Sequence, residues 1–164
     1  MGSGLTGRAI VSTRQKLCNA IQNGNTRFAI QLAADLGHYI GDLCQPLHVS
    51  KFYDGKSQSA RGIHKSFEVI LFNQLEKDIK ILPFSMEYIP NRETAFHKYI
   101  ESGLAEIENI FQADLKARKI APIRGELYFK SLKASLAKML QKRIQLATEL
   151  LAGVYYSILQ DLLR

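Results

Sequence analysis

Residues 26–48, TRFAIQLAADLGHYIGDLCQPLH, form the stretch that decides the predicted fold. Their apolar side chains recur at the spacing of one α-helical face, at Phe28, Leu32, Leu36 and Ile40. Thr26 is the predicted N-cap of this helix. Pro46 ends it, because proline disfavours helical geometry in the residue before it. The stretch therefore predicts a helix that carries polar residues toward its C-terminal end.

Similar periodic patterns predict four more helices, covering about residues 6–23, 63–79, 92–119 and 127–163. Residues 49–62 lack a period and contain Asp54-Gly55, so they are predicted to form a loop. No stretch of any length alternates as a strand does. We therefore expect an all-α fold, with one helical domain of about five helices spanning residues 5–164.

The composition fits such a domain. The chain has 164 residues, of which 46% are hydrophobic and 23% charged, and no apolar run approaches the roughly 20 residues of a membrane span. Residues 1–4, MGSG, show no basic region followed by an apolar stretch and look like a cloning scar rather than an export signal. The net charge of +7 favours phosphate-bearing partners. Because the lysines are spread along the chain, an ordinary solvated surface is the favoured explanation of the charge.

Cys18 and Cys44 are the two cysteines. If the first two helices form a hairpin, one cysteine lies near its turn and the other near its far end. A rise of 1.5 Å per residue then separates them by about 20 Å, which is beyond disulfide reach. We expect no disulfide between them, and the redox compartment stays open.

Five residues between positions 38 and 68 have the chemistry of metal ligands: His38, Asp42, His48, His64 and Glu68. The first two are four residues apart on one predicted helix and the last two are four apart on another, so each pair shares a helix face. His48 follows the helix-ending Pro46, where a turn can bring its imidazole back toward the first pair. Imidazole and carboxylate are groups that zinc accepts.

Simpler interpretations exist for each of these residues alone. A single helical His or Asp is usually a solvated surface group, and a His–carboxylate pair at this spacing also stabilises a helix by about 0.2–0.5 kcal/mol. Two such pairs in an apolar context are harder to explain without a metal, because several ionisable groups would otherwise be buried without partners.

Residues 38–48, HYIGDLCQPLH, resemble the HxxxDxxxPxH element of the zinc-dependent phospholipase C and S1/P1 nuclease superfamily, and residues 62–68, GIHKSFE, resemble its HxxxE/D element. The close resemblance covers about 40 residues, and the all-α prediction agrees with the helical fold of that superfamily. By resemblance, His48, His64 and Glu68 are the complete protein ligand set of one zinc. His38 and Asp42 then serve a second, catalytic metal pair, which the counterpart of Asp42 bridges.

The same resemblance identifies what this sequence lacks. The superfamily takes further ligands, up to three zincs in all, from an N-terminal residue that is usually Trp and from upstream His and Asp residues. This chain has no Trp and no His before His38. We therefore expect the C-terminal part of a longer enzyme, with one complete zinc site and weak or absent activity in isolation.

The implied function is hydrolysis of a phosphodiester, phospholipase C-like because Glu68 and the short loop before His64 are more typical of that branch. An S1/P1-type nuclease acting on single-stranded nucleic acid is the first alternative, and a non-catalytic helical module with a structural zinc is the second. Export from the cytoplasm, to the outside or the periplasm, is also implied by the resemblance alone. The oligomeric state is left open.

Other residues near the predicted site have lesser roles. Phe52, Tyr53 and Phe67 are expected either to contact a substrate or to pack in the core. Asp35 lies one turn before His38 and is either its hydrogen-bond acceptor or an exposed carboxylate. His97 has no partner at metal-ligand spacing and is interpreted as structural.

Overall fold

The computed structural model describes residues 3–164, and side chains from residue 6 onward. Within them, α1 (Ser3–Gln22), α2 (Thr26–Cys44), α5 (His97–Leu104), α6 (Ile107–Ile120) and α7 (Glu126–Leu162) are separate α-helices. Between α2 and α5 lies one composite helical segment, made of α3 (Ile63–Lys65), a π-helix (Ser66–Leu71) and α4 (Phe72–Leu75). Short 3₁₀ turns occupy Gln58–Ala60 and Glu93–Phe96. The described chain contains no strand, which confirms the all-α prediction.

The helices α1 and α2 form a hairpin whose turn depends on Gly24. This residue has a φ of 67°, a left-handed conformation that glycine adopts without strain. The predicted N-cap of α2 is wrong by one residue. Asn25 caps the helix, because its side-chain oxygen accepts a hydrogen bond from the backbone N–H of Phe28 at 3.2 Å. Asparagine and threonine both supply such an acceptor, and the turn geometry selects between them.

The long helix α7 joins two hydrophobic clusters. Its N-terminal half packs with α6 and the composite segment, in a cluster that includes Phe67, Leu71, Ile110, Phe111, Leu132 and Leu136. Its C-terminal half packs with α1, α2 and α5, in a cluster that includes Ile10, Leu36, Ile40, Phe96, Leu150 and Val154. At 1.5 Å per residue, 37 residues give α7 a length of about 55 Å. It therefore holds the two halves of the fold together.

The prediction of one unbroken helix over residues 92–119 is wrong. The segment begins as a 3₁₀ turn, and α5 ends at Leu104 before α6 starts at Ile107. The break follows directly after close packing at Gly103. A Cβ on Gly103 would lie 3.0 Å from Cγ2 of Val49, so the end of α5 approaches the turn after α2 closely. Arg143 reinforces this contact by donating hydrogen bonds to the carbonyl of Cys44 and the hydroxyl of Ser102, at 2.6 and 2.8 Å.

The helix predicted for residues 63–79 ends earlier, at Leu75, and includes the π-helix. The helix predicted for residues 127–163 is confirmed, as α7.

Both cysteines are unpaired, as expected. None of the described helices combines the length and apolarity that crossing a bilayer requires. Of residues 1–4, the first two lie outside the described residues, and the cloning-scar interpretation stays a prediction.

Candidate metal centre

The first ligand pair projects from the C-terminal half of α2. Leu36, Ile40 and Leu43 are buried on one face of this helix, so its remaining face is directed away from the core. His38 and Asp42 lie there, with Nε2 of His38 3.4 Å from Oδ2 of Asp42. The side chain of His38 is 70% exposed, whereas that of Asp42 is 28% exposed. This pair therefore stands at the margin of the site.

Gln45 shapes the turn that delivers His48. Its backbone carbonyl accepts a hydrogen bond from the backbone N–H of His48 at 3.1 Å, and its side-chain oxygen accepts from the N–H groups of Leu47 and His48. Leu47 is fully buried and anchors the turn in the core. The expectation that His48 turns back toward α2 is met, since its Nδ1 lies 3.3 Å from Oδ1 of Asp42.

The second ligand pair is held by the loop before α3. Oδ1 of Asp54 accepts hydrogen bonds from the backbone N–H groups of Gly62, at 2.9 Å, and His64, at 3.3 Å. Gly62 has a φ of 89°, and a Cβ there would lie 2.6 Å from a guanidinium nitrogen of Arg124. The left-handed backbone favours glycine at this position. The loop therefore fixes the start of the helical segment that carries His64.

Buried side chains and an aromatic ring orient the second pair. Ile63, Phe67 and Leu71 are fully buried beneath it. The ring of Tyr53 meets the imidazole of His64 edge-on, at 5.0 Å between centroids. Glu68 lies within the π-helix Ser66–Leu71, a distortion that occurs often at functional sites.

The five predicted residues form one continuous chain of contacts in space. Nε2 of His48 donates a hydrogen bond to Oε2 of Glu68 at 2.9 Å, and the same oxygen lies 2.6 Å from Nε2 of His64. Since Asp42 lies between His38 and His48, the contacts run in the order His38, Asp42, His48, Glu68, His64. Two helices and a turn, distant in sequence, are thus brought to one place.

Within this chain, His48, His64 and Glu68 form a group that can hold a metal ion. One ligand atom from each lies within 4.8 Å of the others. Two imidazole nitrogens and one carboxylate oxygen make a donor set that zinc accepts. In addition, Nδ1 of His64 is buried and has no hydrogen-bond partner in the described part of the chain. The group found by geometry is the same three residues that the resemblance assigns to one zinc. Zinc itself, and the roles of His38 and Asp42, stay predictions.

The electrostatics of Glu68 suit a ligand that must be ionised. Burial raises the pKa of its carboxyl, but the hydrogen bond from His48, the charges of His48 and His64, and the Gln45 amide together outweigh burial. The net effect lowers the pKa of Glu68 below its ordinary value of 4.5. The carboxylate is therefore ionised at neutral pH, as metal binding requires.

A cleft of about 430 Å³ is lined by both residues of the first pair and by Glu68 of the second. Its polar lining residues also include Gln45 and Arg143. Its apolar lining residues include Phe67, Phe72, Leu140, Ile144 and Leu151. Its size falls in the range of small-ligand sites.

Sequence reasoning missed two residues of the site, Gln45 and Asp54. The Nε2 atom of Gln45 also donates to Oε2 of Glu68 at 3.3 Å, so it joins the turn to the second pair. Asp54 was part of a turn signal, but its bonds to the start of α3 depend on how the loop folds back. Nothing in the residue types alone marked either as a site residue.

The remaining predicted residues have less direct positions. Phe67 is buried and lines the cleft. Tyr53 is 55% exposed and contacts the ring of His64. Phe52 is half-buried and packs against the cluster formed by α6, the composite segment and the N-terminal half of α7. Asp35 is exposed, in agreement with the second of its two interpretations, and His97 is exposed at the start of α5.

Comparisons with known proteins give this chain no relative, since no family model, curated protein or solved structure matches it.

Proposed function

We propose that this chain is the zinc-binding part of a phosphodiester hydrolase related to the zinc-dependent phospholipase C and S1/P1 nuclease superfamily. One observation carries the proposal: His48, His64 and Glu68 offer three ligand atoms within 4.8 Å, and these are the residues that two separate motifs of that superfamily assign to a single zinc. Spacing in the sequence alone does not bring His48 to His64 and Glu68. The agreement between their geometry and the two motifs therefore supports a common metal site.

Each residue has a distinct part in this proposal. His48, His64 and Glu68 hold the zinc, and Gln45 orients Glu68 through its 3.3 Å hydrogen bond. When bound, zinc acts as a Lewis acid that neutralises phosphate charge and lowers the pKa of water toward about 7. Asp42 and His38 face the adjoining cleft and, by resemblance, belong to the catalytic metal pair.

The cleft favours a phospholipid among the candidate substrates. Apolar side chains line it together with Glu68 and Asp42, so a phosphodiester held by the polar groups would bring its attached apolar group near aromatic and aliphatic side chains. Burial of apolar surface at about 25 cal/mol per Å² stabilises such a complex. A nuclease acting on single strands would instead stack bases on exposed aromatic rings, and Tyr53 is the exposed ring nearest to His64.

A non-catalytic module with a structural zinc is the second candidate. The observation in its favour is the 70% exposure of His38, whose side chain contacts Asp42 at the margin of the site. Such a module keeps the His48, His64 and Glu68 position and needs neither His38 nor Asp42 for metal binding.

Zinc content and hydrolysis, measured on the same sample, test the proposal. We expect one zinc per chain and slow, zinc-dependent hydrolysis of bis(p-nitrophenyl) phosphate, which Asp42→Asn abolishes even at a zinc concentration that saturates the site. His97→Ala is the matched control, because it removes an exposed histidine outside the site. A short-chain phosphatidylcholine should be cleaved in preference to single-stranded DNA.

Two outcomes would contradict parts of this proposal. One firmly bound zinc without any hydrolysis, even when an added N-terminal segment supplies the further Trp, His and Asp ligands of the superfamily, would favour the non-catalytic module. Three firmly bound zincs with rapid turnover would show that His38 and Asp42 belong to a complete catalytic pair rather than to half of one.

A further inference from the structure

The connection between α6 and α7 exposes three large aliphatic side chains. We call residues 120–127 the α6–α7 tip. Ile120 is 57% exposed, Ile123 is 84% exposed and Leu127 is 62% exposed. Ile123 has the greatest exposure among the large hydrophobic side chains of the described residues. Clusters of this kind on a small protein mark interaction surfaces.

The tip is fixed by polar contacts on its inner side. Arg124 donates hydrogen bonds to the carbonyls of Ala60, at 3.0 Å, and Arg61. The hydroxyl of Tyr128 donates to buried Asp114 at 2.6 Å. With Arg124 and Tyr128 anchored inward, the neighbouring Ile123 and Leu127 are held toward solvent. Their exposure therefore results from a defined packing arrangement.

The surroundings of the tip are basic. Lys116, Lys119 and Lys130 are exposed and form no salt bridge within residues 6–164. The backbone of residue 61, whose own arginine side chain is also exposed, is tied to the tip through Arg124. Between residues 115 and 130, Glu126 is the single acidic residue. The apolar tip is thus flanked along the chain by unpaired cations.

We propose that the α6–α7 tip docks on the surface of an anionic lipid bilayer. Its aliphatic side chains would enter the boundary between headgroups and acyl chains, while the surrounding lysines contact anionic headgroups, the arrangement by which peripheral proteins bind membranes. Docking needs no zinc, so this inference does not depend on the proposed function.

Charge and side-chain type select the lipid over other partners. A second copy of the chain, placed tip to tip, would bring like charges together, which opposes association. Binding of single-stranded nucleic acid depends on stacking by aromatic rings. The aromatic residues nearest the tip, Tyr128 and Phe129, are buried. An anionic bilayer satisfies both the exposed aliphatic groups and the cations.

Vesicle flotation of the full chain tests this directly. We expect association with vesicles of phosphatidylcholine and phosphatidylserine, and much weaker association with phosphatidylcholine alone. The double variant Ile123→Asp, Leu127→Asp should weaken binding by at least tenfold, because burying one aliphatic side chain changes an equilibrium by roughly tenfold to a hundredfold. Each of Lys116→Gln, Lys119→Gln and Lys130→Gln should weaken it by about fivefold.

Ile30→Asp is the matched control, because it places the same change on an isoleucine that is 66% exposed. The hydroxyl of Tyr155 donates to the carbonyl of Ala33 at 2.7 Å, so this part of α2 lies near Tyr155. That position is about 40 Å along α7 from the tip. Circular dichroism should show the same helical content in all variants, since every substituted side chain is exposed.

Three outcomes would overturn the proposal. The first is no association with the anionic vesicles at low salt, and the second is association that the double Asp variant leaves unchanged. The third is binding of oligo(dT), or formation of a dimer without vesicles, that the double variant abolishes while vesicle association is absent.

Discussion

His38 with Asp42, and His64 with Glu68, are two His–carboxylate pairs with the same spacing, yet the fold treats them differently. The His64 side chain is 23% exposed and its Nε2 lies 2.6 Å from the carboxylate of Glu68. The His38 side chain is 70% exposed and lies 3.4 Å from that of Asp42. Equal spacing on a helix therefore does not give equal sites.

The difference comes from what surrounds each pair. His64 follows a left-handed glycine, its backbone N–H bonds to Asp54, and its ring meets Tyr53. His38 lies on a regular turn of α2 and faces solvent. Neighbouring groups therefore hold His64 in place before any metal binds. Such preorganisation favours tight metal binding more than the ligand type alone does. The first pair gains a partner only through His48, which lies 3.3 Å from Asp42.

The largest expected effect comes from removing the buried carboxylate of Asp114, which contacts Arg124 and through it the loop before the second pair. Asp114 is 1% exposed, and its Oδ2 accepts a hydrogen bond from Arg118 at 2.8 Å. Its Oδ1 accepts one from Tyr128 at 2.6 Å and lies 3.4 Å from Arg124, which holds the loop at Ala60. Asp114→Ala should lower the free energy of unfolding by about 3 kcal/mol, because it leaves cations without their partner. Urea denaturation measures this loss.

Asp78→Ala is the control for that substitution. Asp78 is 70% exposed and lies 3.4 Å from Lys133, so its loss should change the free energy of unfolding by less than about 1 kcal/mol. An equal loss in both variants would mean that the network around Asp114 does not stabilise the fold.

The stability gained on zinc binding should also distinguish the two pairs. At a zinc concentration about 100 times its dissociation constant, the wild-type chain should gain about 2.7 kcal/mol of stability. His64→Ala should lose this gain, whereas His38→Ala should keep most of it. Thermal denaturation with and without zinc measures the difference, and equal behaviour of the two variants would remove the distinction between the pairs.

Asp42 connects the two pairs, and its removal should have an intermediate effect. Its Oδ1 faces Nδ1 of His48, the usual position of a carboxylate that orients a ligating imidazole. Asp42→Ala should weaken zinc binding by about 10- to 100-fold, as measured by competition with a chromogenic chelator. Asp35→Ala, an exposed carboxylate on the same helix, should leave zinc affinity unchanged.

The smallest expected effect is a pH dependence of the metal-free chain. The fold lowers the pKa of Glu68 below 4.5, so its ionised form stabilises the fold above that pH, and this contribution is lost as the pH falls through the lowered value. The free energy of unfolding should decrease less below pH 4.5 in Glu68→Gln than in the wild type. Glu76→Gln, which alters an exposed carboxylate, should follow the wild type.

Much of this architecture is predictable from the sequence, because apolar periodicity and helix-ending residues are local signals. Pro46 and Gly24 mark real boundaries, and residues 26–44 form the expected helix. The break between α5 and α6 is not predictable from local spacing, and it lies beside the approach of Gly103 to Val49, a residue more than 50 positions away. The apolar pattern of residues 92–119 does not reveal that contact.

The candidate site is likewise predictable from the sequence only in part. Ligand types and their spacing identify five candidate ligands before any coordinates are known, and the resemblance selects His48, His64 and Glu68 among them. Their unequal environments follow from tertiary contacts, above all those of Gln45 and Asp54. The π-helix that carries Glu68 is equally invisible in the sequence, because the residues 66–71 have the same apolar spacing as an ordinary helix.

Calorimetric titration of the metal-free chain with zinc tests the central claim most directly. The account predicts one zinc per chain, binding that His64→Ala or Glu68→Gln abolishes, and binding that His38→Ala retains. Absence of zinc binding by the wild-type chain, or undiminished binding by His64→Ala, would contradict it.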